Sequence, residues 1–324
     1  MKRILALHTG GTISMSENQN GEVTPNSNNP IASAKGPMND QVNLVNEEIF
    51  NLPSPHMTPA TMLQLSQRIK QATDDGFDGV VVTHGTDTLE ETAYFLDLTL
   101  PATMPVVITG AMRSSNQIGA EGIANFQAAI AVAASDDAVN KGVLVVLNDE
   151  IHTARFAIKT HTTNVATFKS PLTGPIGLIV EHRPVFFQQL IETSYCPIDN
   201  VIDGVYLLKA YAGMDSVFLD AINQPATKGL VIEGTGAGNL PPLALPGLKR
   251  LLEQQIPVVM VSRSNNGIAA DIYGYAGGGI ELKQLGVTLC EGLNGPKARI
   301  KLIVGLSAGK QGTDLAEFMS TALS

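Results

Sequence analysis

Short runs of Val, Ile and Leu recur along the chain, separated by longer segments with helical spacing. Four of them, Ile4 to Leu7, Gly79 to Val82, Val106 to Thr109 and Val143 to Leu147, are apolar at consecutive positions save the closing Thr109. Consecutive apolar positions mark strands buried on both faces, whereas alternation would mark a half-solvated sheet. Between these runs the spacing predicts helices over Thr61 to Thr73, Leu89 to Leu98 and Gly119 to Ala134, the last Ala-rich and suited to lying close on a sheet. Breakers punctuate the pattern: Asp75-Gly76 precedes the second strand and Pro105 the third.

Strand and helix alternating in this way predict a parallel sheet with helices on both faces. A turn-rich stretch, Pro197-Ile198-Asp199-Asn200, is followed by a second set of runs near Val205 to Leu208, Leu230 to Glu233 and Val258 to Val261. The predicted fold class is therefore α/β. A larger N-terminal domain over residues 1–195 holds a mostly parallel sheet with flanking helices, and a smaller C-terminal α/β domain covers residues 204–324. The segment from Ser14 to Pro37 breaks the pattern, being rich in Asn, Ser, Gly and Pro with little apolar content. It predicts a long loop without a core of its own, placed as a lid.

Composition excludes several classes. With 44% hydrophobic and 16% charged residues among 324, a sizeable core can form. Net charge is −9 and the Lys and Arg residues are scattered, so no basic face exists for nucleic acid. No segment approaches the ~20 apolar residues of a membrane span. The N-terminus, two basic residues and then a short apolar run, lacks the features of a signal peptide. Cys196 and Cys290 are far apart and form no metal or redox spacing, so they read as reduced thiols in a cytoplasmic protein.

Neither cofactor nor metal is implied. Gly305-Leu306-Ser307-Ala308-Gly309 has the G-x-S-x-G pattern of a nucleophile elbow, but the last histidine is His182, before the serine and not after it. Gly234-Thr235-Gly236-Ala237-Gly238 lacks the full spacing of a dinucleotide loop, and its glycines read as giving Asn239 access to a ligand. The six histidines show no ligand spacing; His8 and His84 each close an apolar strand and read as structural, holding loop carbonyls.

Two segments carry the chemistry. In Leu7-His8-Thr9-Gly10-Gly11-Thr12-Ile13 and in Val81-Val82-Thr83-His84-Gly85-Thr86-Asp87-Thr88-Leu89-Glu90-Glu91, a strand runs into glycine and then threonine. Loops at the carboxyl ends of parallel strands line the ligand crevice of such sheets, so both threonines are expected to face one site. Glycine lets backbone approach a ligand closely, and the following helix start offers free N–H groups.

Together with Ala157 to Pro171 around Lys159, Gly234 to Asn239, and Leu293-Asn294-Gly295-Pro296-Lys297-Ala298-Arg299, these segments resemble the bacterial-type L-asparaginase family over nearly the whole chain. The resemblance implies hydrolysis of L-asparagine to L-aspartate and ammonia through a threonine acyl-enzyme, without metal or cofactor. Carried over, Thr12 attacks the amide carbon, and Thr86 with Asp87 and Lys159 forms a second catalytic group. Ser54 and Asp87 hold the substrate's α-carboxylate and α-amino groups, with Asn239 as a further binding residue. Lys159 can serve as base, directly or through Thr86, only as a neutral amine, so Asp87 is assigned to the substrate ammonium and not to a simple ion pair with Lys159. Which threonine attacks first is left open.

The family pattern is broken twice. Many relatives carry a tyrosine in the lid, yet residues 14–37 contain none, and the hydroxyl is assigned to Tyr275, with Tyr273 as alternative. Pro55 follows Ser54 where many relatives have glutamine. A homo-oligomer, dimer or tetramer, with the site near a subunit interface follows from the resemblance. Two other functions fit the same fold: an amidase subunit supplying ammonia to a transfer RNA, disfavoured by the missing basic face and extra domains, and a non-catalytic amino-acid sensor, which has no need of Lys159.

Overall fold

The computed structural model describes residues 1–26, 29–33, 36–38, 40–191 and 195–320. Residues 27, 28, 34 and 35 of the expected lid, and residues 192–194 and 321–324 of the two expected domains, lie outside the described residues, as does residue 39. The chain divides into two compact units, Met1–Tyr195 and Cys196–Ser324.

In the first unit the elements run β1 (Lys2–His8), β2 (Met15–Glu17), β3 (Val23–Pro25), β4 (Val42–Glu48), α1 (Pro59–Asp74), β5 (Gly79–Thr83), α2 (Leu89–Thr99), β6 (Val106–Thr109), α3 (Gly122–Ala133) and β7 (Val143–Leu147). They continue with β8 (Glu150–Thr153), β9 (Ile158–Lys159), β10 (Phe168–Lys169), β11 (Gly177–Val180) and β12 (Arg183–Phe186). Eight strands form one sheet in the order β12-β11-β8-β7-β6-β5-β1-β4. From β4 to β7 all neighbours are parallel, while β8, β11 and β12 are added antiparallel.

The consecutive apolar runs are explained by what lies on each face. Successive strand residues point to opposite sides. In β1, Ile4 and Ala6 enter one core while Leu5 and Leu7 enter the other; in β7, Leu144 and Val146 oppose Val143, Val145 and Leu147. The Ala-rich α3 fills the first core with Phe126, Ala129, Ile130 and Val132, and α1 and α2 fill the second with Leu65, Ile69, Leu89 and Leu96. Helix α1 starts as its sequence dictates, with Pro59 in the first turn and a capping box in which the Thr58 hydroxyl accepts from the Thr61 N–H.

Two expectations change. The stretch 14–37 is not structureless: β2 and β3 pair as an antiparallel hairpin, and Ile31 is buried. The hairpin is braced by the 115–117 loop, where the Glu17 N–H donates to Asn116 Oδ1 at 2.8 Å and Asn116 Nδ2 donates to Glu17 O at 2.8 Å. Pairing supplied by a distant loop replaces the local signals that this sequence lacks. Helix α3 also starts later than its pattern, at Gly122, because the Glu121 carboxylate accepts from the Met112 N–H and Gly119, with φ +73°, lies in a turn before it.

The second unit carries β13 (Val205–Lys209), α4 (Val217–Ile222), β14 (Gly229–Gly234), α5 (Leu245–Glu253), β15 (Val258–Ser262), α6 (Gly279–Gln284), β16 (Thr288–Leu289), α7 (Gly295–Ser307) and α8 (Gly312–Ser320). Its four strands are parallel in the order β13-β14-β15-β16. Among the described residues, no helix is long and apolar enough to cross a membrane.

Candidate active site

The chain leaves β1 toward β4 on one side, and leaves β5 toward β6 on the other. Strand order therefore reverses between β1 and β5, and such a reversal opens a crevice at the carboxyl ends of the strands. Three loops emerge at this end from the neighbouring strands β4, β1 and β5: residues 49–57, 9–14 and 84–88. They are tied to one another by backbone bonds, from the Thr9 N–H to Thr83 O at 3.1 Å, from Leu52 to Thr9 O at 2.9 Å and from Ile49 to His8 O at 3.0 Å.

Glycine sets how closely the two threonine loops approach. A Cβ on Gly11, whose φ is +84°, would lie 2.3 Å from both Cα and N of Gly85. A Cβ on Gly85 would in turn meet Ser54 Cβ and Oγ at 2.8 Å. Only with hydrogen at both positions do the segments carrying Thr12, Thr86 and Ser54 stack directly on one another.

Polar contacts then fix the side chains. Ser54, buried in a single 3₁₀ turn over Ser54–His56, accepts from the Asp87 N–H with its Oγ at 3.2 Å, and its hydroxyl proton is left to donate elsewhere. Thr88 precedes α2, yet its hydroxyl donates to Ser54 O at 2.7 Å and makes no cap bond. Lys159 reaches in from the β9–β10 ribbon and donates from Nζ to Thr86 Oγ1 at 3.0 Å and to Asp87 Oδ1 at 2.6 Å. Its side chain is 16% exposed against 61% for Asp87, so the pair is open on the carboxylate side. Thr86 is buried and Thr12 half-buried.

The Lys159–Asp87 ion pair corrects the expectation drawn from sequence. Asp87 is expected to serve the substrate ammonium and not a simple ion pair with Lys159, but the helix start that presents Thr86 to Nζ presents the next residue, Asp87, as well.

Both flanking histidines are structural. His84 Nδ1 lies 2.7 Å from Gly85 O, an acceptor only, so Nδ1 carries the proton and Nε2 accepts from the Thr92 hydroxyl at 2.9 Å. Burial pushes this imidazole down to about 4. His8 meets two side chains instead of a loop backbone carbonyl, Thr83 Oγ1 at 2.9 Å and Asn46 Oδ1 at 3.1 Å, and burial lowers it too, against the Asn46 bond.

Asn239 and Tyr275 belong to the second unit. The Asn239 amide is engaged within it, donating to Thr235 O at 3.3 Å and accepting from the Gly279 N–H at 3.2 Å. Tyr275 is exposed beside Tyr273, their ring centroids 5.4 Å apart. Glu90, to which sequence reasoning gives no role, joins the site in the fold. Its carboxylate is buried and accepts from the Lys159 backbone N–H at 2.6 Å.

A two-unit α/β protein with paired threonine loops at a strand-order reversal is what the geometry defines. Comparison with known proteins agrees: residues 3–192 match the family profile "Asparaginase, N-terminal" and residues 204–319 match the "Glutaminase/Asparaginase C-terminal domain". The chain belongs to the asparaginase family. It is similar to an L-asparaginase of Bacillus licheniformis, 34% identical over 96% of this chain and 97% of that protein. A probable L-asparaginase of Deinococcus radiodurans is 38% identical, covering 97% and 96%. Among solved structures, a probable cytoplasmic L-asparaginase from Campylobacter jejuni superposes with a TM-score of 0.89 at 35% identity, covering 98% of this chain and 99% of that one.

Proposed function

We infer that this protein is an L-asparaginase, hydrolysing L-asparagine to L-aspartate and ammonia. The observation that carries the reading is Lys159 Nζ bonded at once to the Thr86 hydroxyl and to Asp87, beside the Gly11–Gly85 contact that brings in the Thr12 loop. The likeness over nearly the whole chain to an L-asparaginase and to two probable L-asparaginases supports it.

The substrate α-ammonium takes the exposed Asp87 carboxylate, and the Ser54 hydroxyl donates to the α-carboxylate. With Asp87 drawn toward the ligand, Lys159 gives its ammonium proton to solvent and, as a neutral amine, takes the Thr12 hydroxyl proton directly or through Thr86. Thr12 Oγ then adds to the amide carbon, the C–N bond breaks, and nitrogen leaves as ammonia with the proton given up at the hydroxyl. Water hydrolyses the resulting ester, releasing aspartate and restoring Thr12. The β2–β3 hairpin segment is placed as the lid. Asn239 and Tyr275 are kept as site residues on family resemblance, Tyr275 as hydroxyl donor.

We place the protein in the cytoplasm as a homo-oligomer, dimer or tetramer. The likeness to a probable cytoplasmic L-asparaginase and the two free cysteines support the first, and the exposed cluster of Ile272, Tyr273, Tyr275 and Ile280 supports the second as surface for another copy.

Ammonia release from asparagine by the purified protein tests the function. Thr12→Ala and Thr86→Ala are each expected to lower turnover by about 10³-fold or more with the fold intact by circular dichroism. Turnover near that of the unsubstituted protein in either folded variant refutes the two-threonine reading.

A further inference from the structure

We infer that Glu90 is a positioning residue for Lys159, an assignment resting on the reading of Lys159 as a catalytic group. Lysine is a poor choice for a fixed role unless its stem is held, because its four-carbon side chain has many rotamers and its ammonium is compact. Here the root is weakly held by secondary structure. Lys159 ends a two-residue strand that pairs, among the described residues, with the equally short β10, and its N–H is given to Glu90 Oε2 at 2.6 Å. Glu90 is 8% exposed, and a bond from N–H to a buried carboxylate is roughly twice as strong as a neutral one.

One stretch of chain therefore grips Lys159 at both ends. Thr86 and Asp87 take the ammonium, and Glu90, three residues beyond Asp87 on the first turn of α2, takes the backbone. All three sit on the same short segment, so any shift of the helix start moves root and head together and keeps Nζ aligned. Glu90 also lines, with Asp87, Lys159, Thr160, His161 and Thr162, a polar cavity of about 380 Å³, so its carboxylate borders the site and is not lost in the core.

A double-mutant cycle tests the inference. Glu90→Ala is expected to lower kcat for asparagine by about 10²-fold, the cost of misplacing a catalytic group by about 1 Å, with KM changed less than about threefold because Ser54 and Asp87 are untouched. Glu90→Gln, which keeps an oxygen acceptor, is expected to recover kcat to within about tenfold of the unsubstituted protein. In a Lys159→Met background, Glu90→Ala is expected to cost nothing further, within about twofold of the residual rate, since no amine remains to be placed. A folded Glu90→Ala with unchanged kcat overturns the inference, and so does a full loss persisting in the Lys159→Met background, which marks a general structural role. Unchanged kcat in Lys159→Met alone overturns instead the catalytic reading of Lys159. Should Glu90→Ala not fold, Glu90→Asp, which keeps the charge but withdraws the acceptor by one methylene, carries the same cycle with the same outcomes.

Discussion

Replacing Gly11 by alanine is the sharpest perturbation this geometry offers. The residue has φ +84° and ψ 176°, a region open almost only to glycine, where a side chain costs about 1–3 kcal/mol. The added methyl would also stand 2.3 Å from the Cα and N of Gly85, backbone atoms with no rotamer to escape into. Reaching an ordinary contact of 3.4 Å means parting the two loops by about 1 Å, and overpacking of that kind typically costs a further ~1–3 kcal/mol. The expected destabilisation is about 2–6 kcal/mol, within what a domain of ordinary stability survives. Since the gap opens between the segments carrying Thr12 and Thr86, kcat/KM for asparagine should fall by about 10²-fold even where the fold persists. Gly174→Ala is the control, because its φ is also positive at +75° but nothing lies within 4 Å of the new methyl. It should cost about 1 kcal/mol and leave activity unchanged. Urea unfolding and ammonia release, run on both variants, read the two effects separately. A folded Gly11→Ala with kcat/KM within about threefold of the unsubstituted protein, or with stability equal to that of Gly174→Ala, refutes the reasoning.

Three further outcomes follow. Asparagine should exceed glutamine by at least about a hundredfold in kcat/KM, because the exposed Pro55 beside Ser54 has neither a side-chain amide nor a backbone N–H to follow a longer substrate; Pro55→Gln should narrow the ratio, and an unchanged ratio places selectivity elsewhere. His84, lowered to about 4 by burial, is neutral when folded and takes up a proton near 6.5 when unfolded. Its stabilisation is therefore fully present above about pH 6.5 and lost as pH falls to about 4; nitrogen NMR of labelled histidine should show a neutral Nδ1–H ring at pH 6, and a midpoint near 6.5 contradicts this. Sedimentation should show a dimer or larger assembly, weakened by charge at Ile272 or Ile280; a fully active monomer removes the oligomer from the proposal.

Much of this protein could be read from its residues. The consecutive apolar runs located β1, β5, β6 and β7 and, in the second unit, β14 and β15, because a strand buried on both faces is apolar at nearly every position; the run of β13 located it too, although as an edge strand it is half-exposed. Glycine followed by threonine after two such strands marked the segments of the site, since parallel strands send their loops to one end.

Other features existed only in three dimensions. Strands β4 and β12 carry acidic, proline or arginine residues and are half-exposed, for at the edges of a sheet partners and not hydrophobicity decide the pairing. The hairpin in residues 14–37 depends on Asn116, 99 residues away from Glu17 in the chain. The partners of Lys159 were hidden for a related reason: a lysine in a polar segment has no local signal of what it will meet, and its placement against Asp87 and Glu90, about 70 residues earlier, arises when β9 is laid beside the start of α2. Hydrophobic pattern is a property of neighbours in sequence, whereas an ion pair or a buried carboxylate is a property of neighbours in space. That is why the strands and threonine loops were written locally, while the clamp on the lysine was decided by the fold.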